Sequence, residues 1–318
     1  MAKKKIALVG AGNIGATLAH LILQRKLAEV VLIDIAEGMT QGKALDLCQA
    51  AAIDGIDLNV LGTRDFKALS QADIVIITAG IARKPGMSRD DLLQVNAQII
   101  QEIGQQIRQH CPETFVIVIT NPLDAMVWLM QKSCGLPFQR VVGMAGVLDS
   151  GRFQYFLAAA LNVSVRDIQT FVLGGHGDGM VALPRYTTIS GVPLQAWIDQ
   201  GKLSKQQLET LIERTRNGGA EIVNLIQTGS AYYAPASAAL QMAEAYLYDQ
   251  KRILPCAAWL QGHYGVKDIY AGVPVVIGAN GVEKILELSL TEIEQQQFDT
   301  SVQGVRNLIQ TLNTLGVS

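Results

Sequence analysis

His176 stands in the stretch Phe171-Val172-Leu173-Gly174-Gly175-His176-Gly177-Asp178, an imidazole between glycines after an apolar run. Imidazole is the side chain whose ordinary pKa lets it take up and return a proton near neutral pH. Val172 and Leu173 read as the end of a buried strand that delivers His176 to a cleft, and the glycines let other groups approach closely. Taken alone, the same residues also describe a histidine in an ordinary glycine-rich turn. Asp149 and Arg152 are three positions apart, so a helix would project both from one face toward one ligand. An exposed ion pair has that spacing too. Arg83 and Arg89 lie in a segment, 79–90, whose basic residues suit an anionic ligand and whose Gly80 and Gly86 would let it open and close as a lid. A solvated basic loop would read alike.

Elements must bring these residues together. A short apolar run over 6–9 leads into Gly10-Ala11-Gly12-Asn13-Ile14-Gly15, and helical apolar spacing follows over 16–26. A second apolar run, 30–33, ends in Asp34. This strand, glycine turn, helix and acidic strand end make the pattern of a dinucleotide-binding unit. Gly10 would form the tight turn, Gly12 would let the backbone approach a pyrophosphate, and Gly15 would allow close helix packing. The helix N-terminus would face the phosphates. Asp34 would accept hydrogen bonds from the adenosine ribose and repel a 2'-phosphate, which favours NAD over NADP.

Strands over 74–78 and 115–120 and a helix over 92–110 continue the alternation, followed by Asn121-Pro122, an amphipathic stretch over 124–132 and a short strand over 140–143. The segment 79–90 therefore falls at a strand's carboxyl end, where open α/β sheets bind ligands. The later half is mixed. We read a helix over 149–161, strands over 168–173 and 186–190, and a long helix over 204–228 weakened at Gly218-Gly219. A helix over 236–248, strands over 253–260 and 273–277, and a closing helix over 292–312 follow. The expected architecture is α/β: a Rossmann-type doubly wound parallel sheet in 1–145, then a mixed α+β catalytic domain in 146–318.

Composition narrows the partners. A formal charge of -2 makes no electrostatic case for nucleic acid or an anionic membrane. Charged residues make up only 17% of the chain, lean for the surface of a monomer. Cys48, Cys111, Cys134 and Cys256 lie far apart, with no C-x-x-C pair and no histidine at metal spacing, so they read as reduced structural thiols and no metal is expected. Lys3-Lys4-Lys5 precedes an apolar run as in a signal peptide, but Gly10, Gly12 and Gly15 interrupt it, and no run of about 18 apolar residues suggests a span. A cytoplasmic protein is expected.

Gly10-x-Gly12-x-x-Gly15, Asp34, the Arg83-Lys84-Pro85-Gly86-Met87-Ser88-Arg89 loop, Asn121-Pro122, Asp149-Ser150-Gly151-Arg152 and Gly175-His176-Gly177-Asp178 occur here in one order over nearly the whole chain. That set closely resembles the lactate/malate dehydrogenase family, and within it the malate enzymes of lactate-dehydrogenase-like type. The resemblance implies NAD-dependent interconversion of malate and oxaloacetate, with His176 as acid and base and Asp149 fixing its tautomer. It implies that Arg152 clamps the C1 carboxylate, Arg89 closes over the substrate and polarises the C2 oxygen, and Asn121 positions substrate and nicotinamide, its bond to Pro122 being cis. Asn13, Ile14 and Asn96 join the glycines, Asp34 and Asn121 as implied cofactor contacts. Arg83 occupies the loop position that is arginine in the malate enzymes and glutamine in the lactate enzymes, so it would meet a second carboxylate. A homotetramer, as a dimer of dimers, is the implied assembly. A dehydrogenase for lactate or another 2-hydroxy acid, and a catalytically silent nucleotide-binding protein on the same fold, are the alternatives.

Overall fold

The computed structural model describes residues 3–81 and 89–317, Arg89 by its backbone alone. The chain opens with β1 (Lys5–Val9), α1 (Asn13–Gln24), β2 (Glu29–Ile33), α2 (Glu37–Ile53), β3 (Val60–Thr63) and β4 (Ile74–Ile77). After the loop come α3 (Arg89–His110), β5 (Phe115–Val118), α4 (Leu123–Cys134) and β6 (Val141–Gly143). These six strands are all parallel, in the order β3-β2-β1-β4-β5-β6. Along β1, Ile6 and Leu8 enter one apolar cluster while Ala7 and Val9 enter the other. Helices cover both faces, which is why the strands read as unbroken apolar runs and not as alternating ones. Strand order reverses between β1 and β4, so the glycine turn after β1 and the start of the loop after β4 share one crevice at the carboxyl edge.

The second half contains α5 (Gly146–Leu161), β7 (Ile168–Gln169), β8 (Val172–Gly174), β9 (Met180–Ala182), β10 (Thr188–Ile189), β11 (Val192–Pro193) and α6 (Leu194–Asp199). It continues with α7 (Lys205–Arg216), α8 (Gly218–Ile226), α9 (Tyr233–Leu247), β12 (Arg252–Gln261), β13 (Lys267–Gly278), β14 (Gly281–Ile285) and α10 (Glu292–Thr314). Its main strands extend the parallel sheet: β12 pairs antiparallel with β6 at Ala257 and Gly143, and the order runs on through β13, β8 and β9. A third apolar cluster joins Phe153 and Leu157 of α5 to Val172 and Met180. The result is a Rossmann-type parallel sheet followed by an α/β second half, as the sequence pattern implies.

Several elements depart from their sequence reading. α5 begins at Gly146, three residues earlier than expected, which puts Asp149 in its first turn. The stretch read as one strand over 168–173 is two, β7 paired with β10 and β8 paired with β13 and β9. The helix expected over 204–228 breaks after Arg216, and Gly218 restarts it against the side chain of Arg152. α4 is not amphipathic in its setting: every residue from Leu123 to Met130 is buried, because α3, α10, β6 and β13 all pack on it. The apolar pattern does not predict α2, of which only Thr40, Ala44 and Ala51 are buried while Leu45 and Ile53 face solvent, nor β3.

Candidate active site

The glycine turn is shaped by sterics. Gly10 has φ +110°, a left-handed value that a side chain would strain, and its N–H donates to the Ile33 carbonyl at 2.8 Å. A Cβ on Gly15 would lie 1.9 Å from the Gly10 carbonyl oxygen, so only glycine lets α1 start this close to the turn. A Cβ on Gly12 would meet nothing within 4 Å. Gly12 caps α1 without any side-chain acceptor for the first helical N–H groups, beside that open space. Uncapped N–H donors at a helix start, with room in front of them, fit a pyrophosphate.

At the end of β2, Asp34 Oδ2 accepts from Ala11 N at 2.7 Å and Oδ1 from Ala36 N at 3.1 Å. Each carboxylate oxygen keeps a lone pair, so the half-buried group can still accept from ribose hydroxyls. Ile35 beside it is 94% exposed, an apolar face open to a planar ring. Asn13 and Ile14 form the first turn of α1.

Asn96, expected beside the cofactor, lies on α3 at the start of the loop. Its side chain is buried, with Oδ1 accepting from Ile81 N at 2.8 Å and Nδ2 donating to the carbonyls of Ile81, at 3.2 Å, and Asn121, at 2.8 Å. α3 uses Asn96 as a strut between the loop's start and the segment after β5. Asn121 itself is exposed and precedes a cis bond to Pro122. Arg83 lies outside the described residues, as does the side chain of Arg89.

The histidine cluster is built from buried charge. His176 follows β8, its side chain 14% exposed, and its Nδ1 is 2.9 Å from Oδ2 of Asp149. A carboxylate can only accept, so Nδ1 carries the hydrogen and Nε2 is the nitrogen free to exchange a proton. Burial pulls the imidazole's pKa down, but the charge and hydrogen bond of Asp149, with the charge of Asp124, outweigh it and hold it above the ordinary value. Asp149 sits in the first turn of α5, where the helix dipole favours a negative group.

Arg152, one turn on, reaches Oδ1 of Asp149 with Nη1 at 3.4 Å. Its buried Nε has no partner. Burial pulls the guanidinium's pKa down against the effect of Asp149, yet arginine stays cationic. A loosely used Nη1 and an orphaned Nε are donors suited to a ligand carboxylate, while Asp149 holds both cations at once. Among the described residues, no His, Cys, Asp and Glu group could hold a metal ion.

Two residues of this cluster were passed over in the sequence. Asp124, in the first turn of α4, accepts from His176 N at 2.9 Å through Oδ2. Ser301 of α10 accepts from Gly175 N at 2.7 Å. The only local signal for Asp124 is an acidic residue opening an otherwise apolar helix just after Asn121-Pro122; nothing in the sequence marks Ser301.

A glycine turn for a dinucleotide and a histidine–carboxylate pair beside a buried arginine define an oxidoreductase that moves a hydride and a proton. Residues 4–143 match the lactate/malate dehydrogenase NAD binding domain, and residues 146–315 match the lactate/malate dehydrogenase alpha/beta C-terminal domain. The chain belongs to the lactate/malate dehydrogenase family, with NAD as its cofactor. Among solved structures it is similar to Cryptosporidium parvum malate dehydrogenase, with 46% identity over 98% of this chain and 100% of that one and a TM-score of 0.96. It is equally similar to the lactate dehydrogenase of the same organism complexed with lactic acid and NAD, at 46% identity over 98% and 99% of the two chains and a TM-score of 0.96. Eimeria maxima lactate dehydrogenase with NADH and oxamate matches at 42% identity over 99% of this chain and 96% of that chain, with a TM-score of 0.97. No helix among the described residues is long and apolar enough to cross a membrane.

Proposed function

We propose that this protein interconverts malate and oxaloacetate. Relatives named for malate and for lactate stand at the same identity, so overall similarity does not choose between substrates. The observation that carries the choice is the residue type at position 83. Arginine there would offer a second buried cation, which suits a second carboxylate and which pyruvate would leave unpaired.

Bound NAD supplies the hydride acceptor and, once reduced, the donor; Gly10, Gly12, Asn13, Ile14, Gly15, Asp34 and Asn121 would hold it. Nε2 of His176 takes the hydroxyl proton of malate in oxidation and returns it in reduction. Asp149 holds the tautomer and stabilises the imidazolium. Arg152 receives the C1 carboxylate on its free donors; by their residue types, Arg83 would meet the C4 carboxylate and Arg89 the C2 oxygen, where charge develops. A lactate enzyme is the second reading, favoured only by the names of the similar structures.

Arg83→Gln tests the choice. The ratio of kcat/KM for oxaloacetate over pyruvate should fall at least about a hundredfold beside the parent, since an unpaired buried charge costs on the order of 3 kcal/mol. An unchanged ratio means that Arg83 does not meet substrate.

We further propose that 1–145 carries cofactor and 146–318 carries substrate, supported by where the two family matches meet. Four unpaired thiols support a reducing, cytoplasmic setting. A homotetramer, supported by the low share of charged residues, should show the mass of four chains in light scattering.

A further inference from the structure

Among the described residues, two acidic side chains are buried, Asp149 and Asp124, and both contact His176, one through the ring and one through the main chain. Asp124 comes three positions after Asn121, so its bond to His176 ties the histidine loop to the carboxyl end of the nucleotide-binding sheet. Ser301 ties the same loop at Gly175 with a neutral hydroxyl. Main-chain anchoring therefore does not require a charge here. Yet Asp124 is charged at a cost: burial pushes its carboxyl up to about 6, against the His176 N–H and charge that favour ionisation, and its Oδ1 is buried with no hydrogen-bond partner.

Charge balance accounts for that cost. Among the described residues, the groups facing the His176 ring are Asp149 and Arg152 from α5 and Asp124 from α4, while α10 presents the hydroxyl of Ser301 to the loop. Those facing Asp124 are His176 and Asp149. With His176 protonated, two cations share one carboxylate at Asp149, whose Oδ2 is on the ring and whose Oδ1 is on the guanidinium. Among these four described groups, Asp124 brings the sum of charges to zero. We propose that Asp124 is a positioning residue for proton transfer: Oδ2 pins the main chain of His176, and its charge, acting beside Asp149, holds the protonated ring ready for reduction of the keto acid. The proposal rests on His176 being the acid and base.

The test is a titration of the His176 ring by 15N NMR in the parent, Asp124→Asn and Ser301→Ala, with the pH profile of oxaloacetate reduction measured beside it. Asparagine can still accept from His176 N, so Asp124→Asn removes the charge and keeps the anchor. The ring pKa should drop by about one unit in Asp124→Asn, and the falling limb of the reduction profile should move with it. Ser301→Ala should slow turnover while leaving the ring pKa in place. An unmoved pKa in Asp124→Asn, or an equal shift in Ser301→Ala, overturns the proposal. A ring shift that the rate profile does not follow removes His176 from proton transfer, and Asp124's role falls with it, an outcome distinct from the first two. Should Asp124→Asn fail to fold, the parent ring must show a second inflection where Asp124 ionises; a single inflection overturns the proposal.

Discussion

The turn after β1 and the cluster around His176 are built by opposite means. The turn uses backbone: a left-handed Gly10, a Gly15 with no room for a side chain, and helical N–H groups without a side-chain cap. Its one acidic group, Asp34, is braced by main-chain donors at the crevice rim. The cluster uses side chains, two carboxylates with an imidazole and a guanidinium, all largely out of water. A pyrophosphate keeps its charge throughout, so fixed backbone dipoles serve it. A transferred proton changes the charge of its carrier, so the second site needs groups that compensate whichever state is present. The first site is intolerant of volume; the second is intolerant of uncompensated charge.

Removing charge from the cluster should have the largest effect. Asp149→Asn keeps size and leaves the fold intact, but the tautomer and the imidazolium lose support, so kcat should drop by about a thousandfold or more while NADH affinity holds. Stopped-flow reduction of oxaloacetate with NADH binding by fluorescence measures both; a near-normal rate would take Asp149 out of the mechanism. Adding volume to the turn should come next. Gly12→Ala places a methyl in empty space, so thermal stability should stay within about 0.5 kcal/mol while NAD binding weakens about a hundredfold. Gly15→Ala should lose the fold, because its Cβ strikes the Gly10 carbonyl. Equal NAD affinity in Gly12→Ala and the parent would show that the pyrophosphate does not lie there.

The smallest effect concerns stability. The folded-state pKa of Asp124 is raised from 3.8 to about 6, the reverse of the usual carboxylate shift. The unfolded chain therefore gives up this proton first, and Asp124 destabilises the native state progressively as pH rises from about 4 to about 6. Asp124→Asn should gain about 2 kcal/mol on the parent between pH 4 and pH 7, less than the full cost because part of it is already present at pH 4. Denaturant midpoints at the two pH values give the difference, and a constant offset would mean that Asp124 titrates normally.

How much could be read in advance follows the same division. Gly10, Gly12, Gly15 and Asp34 are legible because the constraints on them are local: a turn, a close approach and the next strand's end. His176, Asp149 and Arg152 are legible as types and spacing, and burial then turns an ordinary ion-pair pattern into a cluster. Asp124 was missed because its partner is His176, 52 positions away, and Ser301 because its partner Gly175 is 126 away. The bonds of Asn96 to Ile81 and Asn121 are not legible, since residue type does not say which main-chain groups an amide meets. α2 escaped because its outward face carries Leu45 and Ile53, which blur the helical pattern.

The proposed reaction moves a hydride and a proton at C2 of a four-carbon dicarboxylate. The most direct test is the ratio of kcat/KM for oxaloacetate over pyruvate with NADH in the unaltered protein. A ratio of at least about a hundred is expected, the discrimination that follows when one substrate leaves a buried cation unpaired. A ratio near or below one would contradict it and make the protein a lactate enzyme.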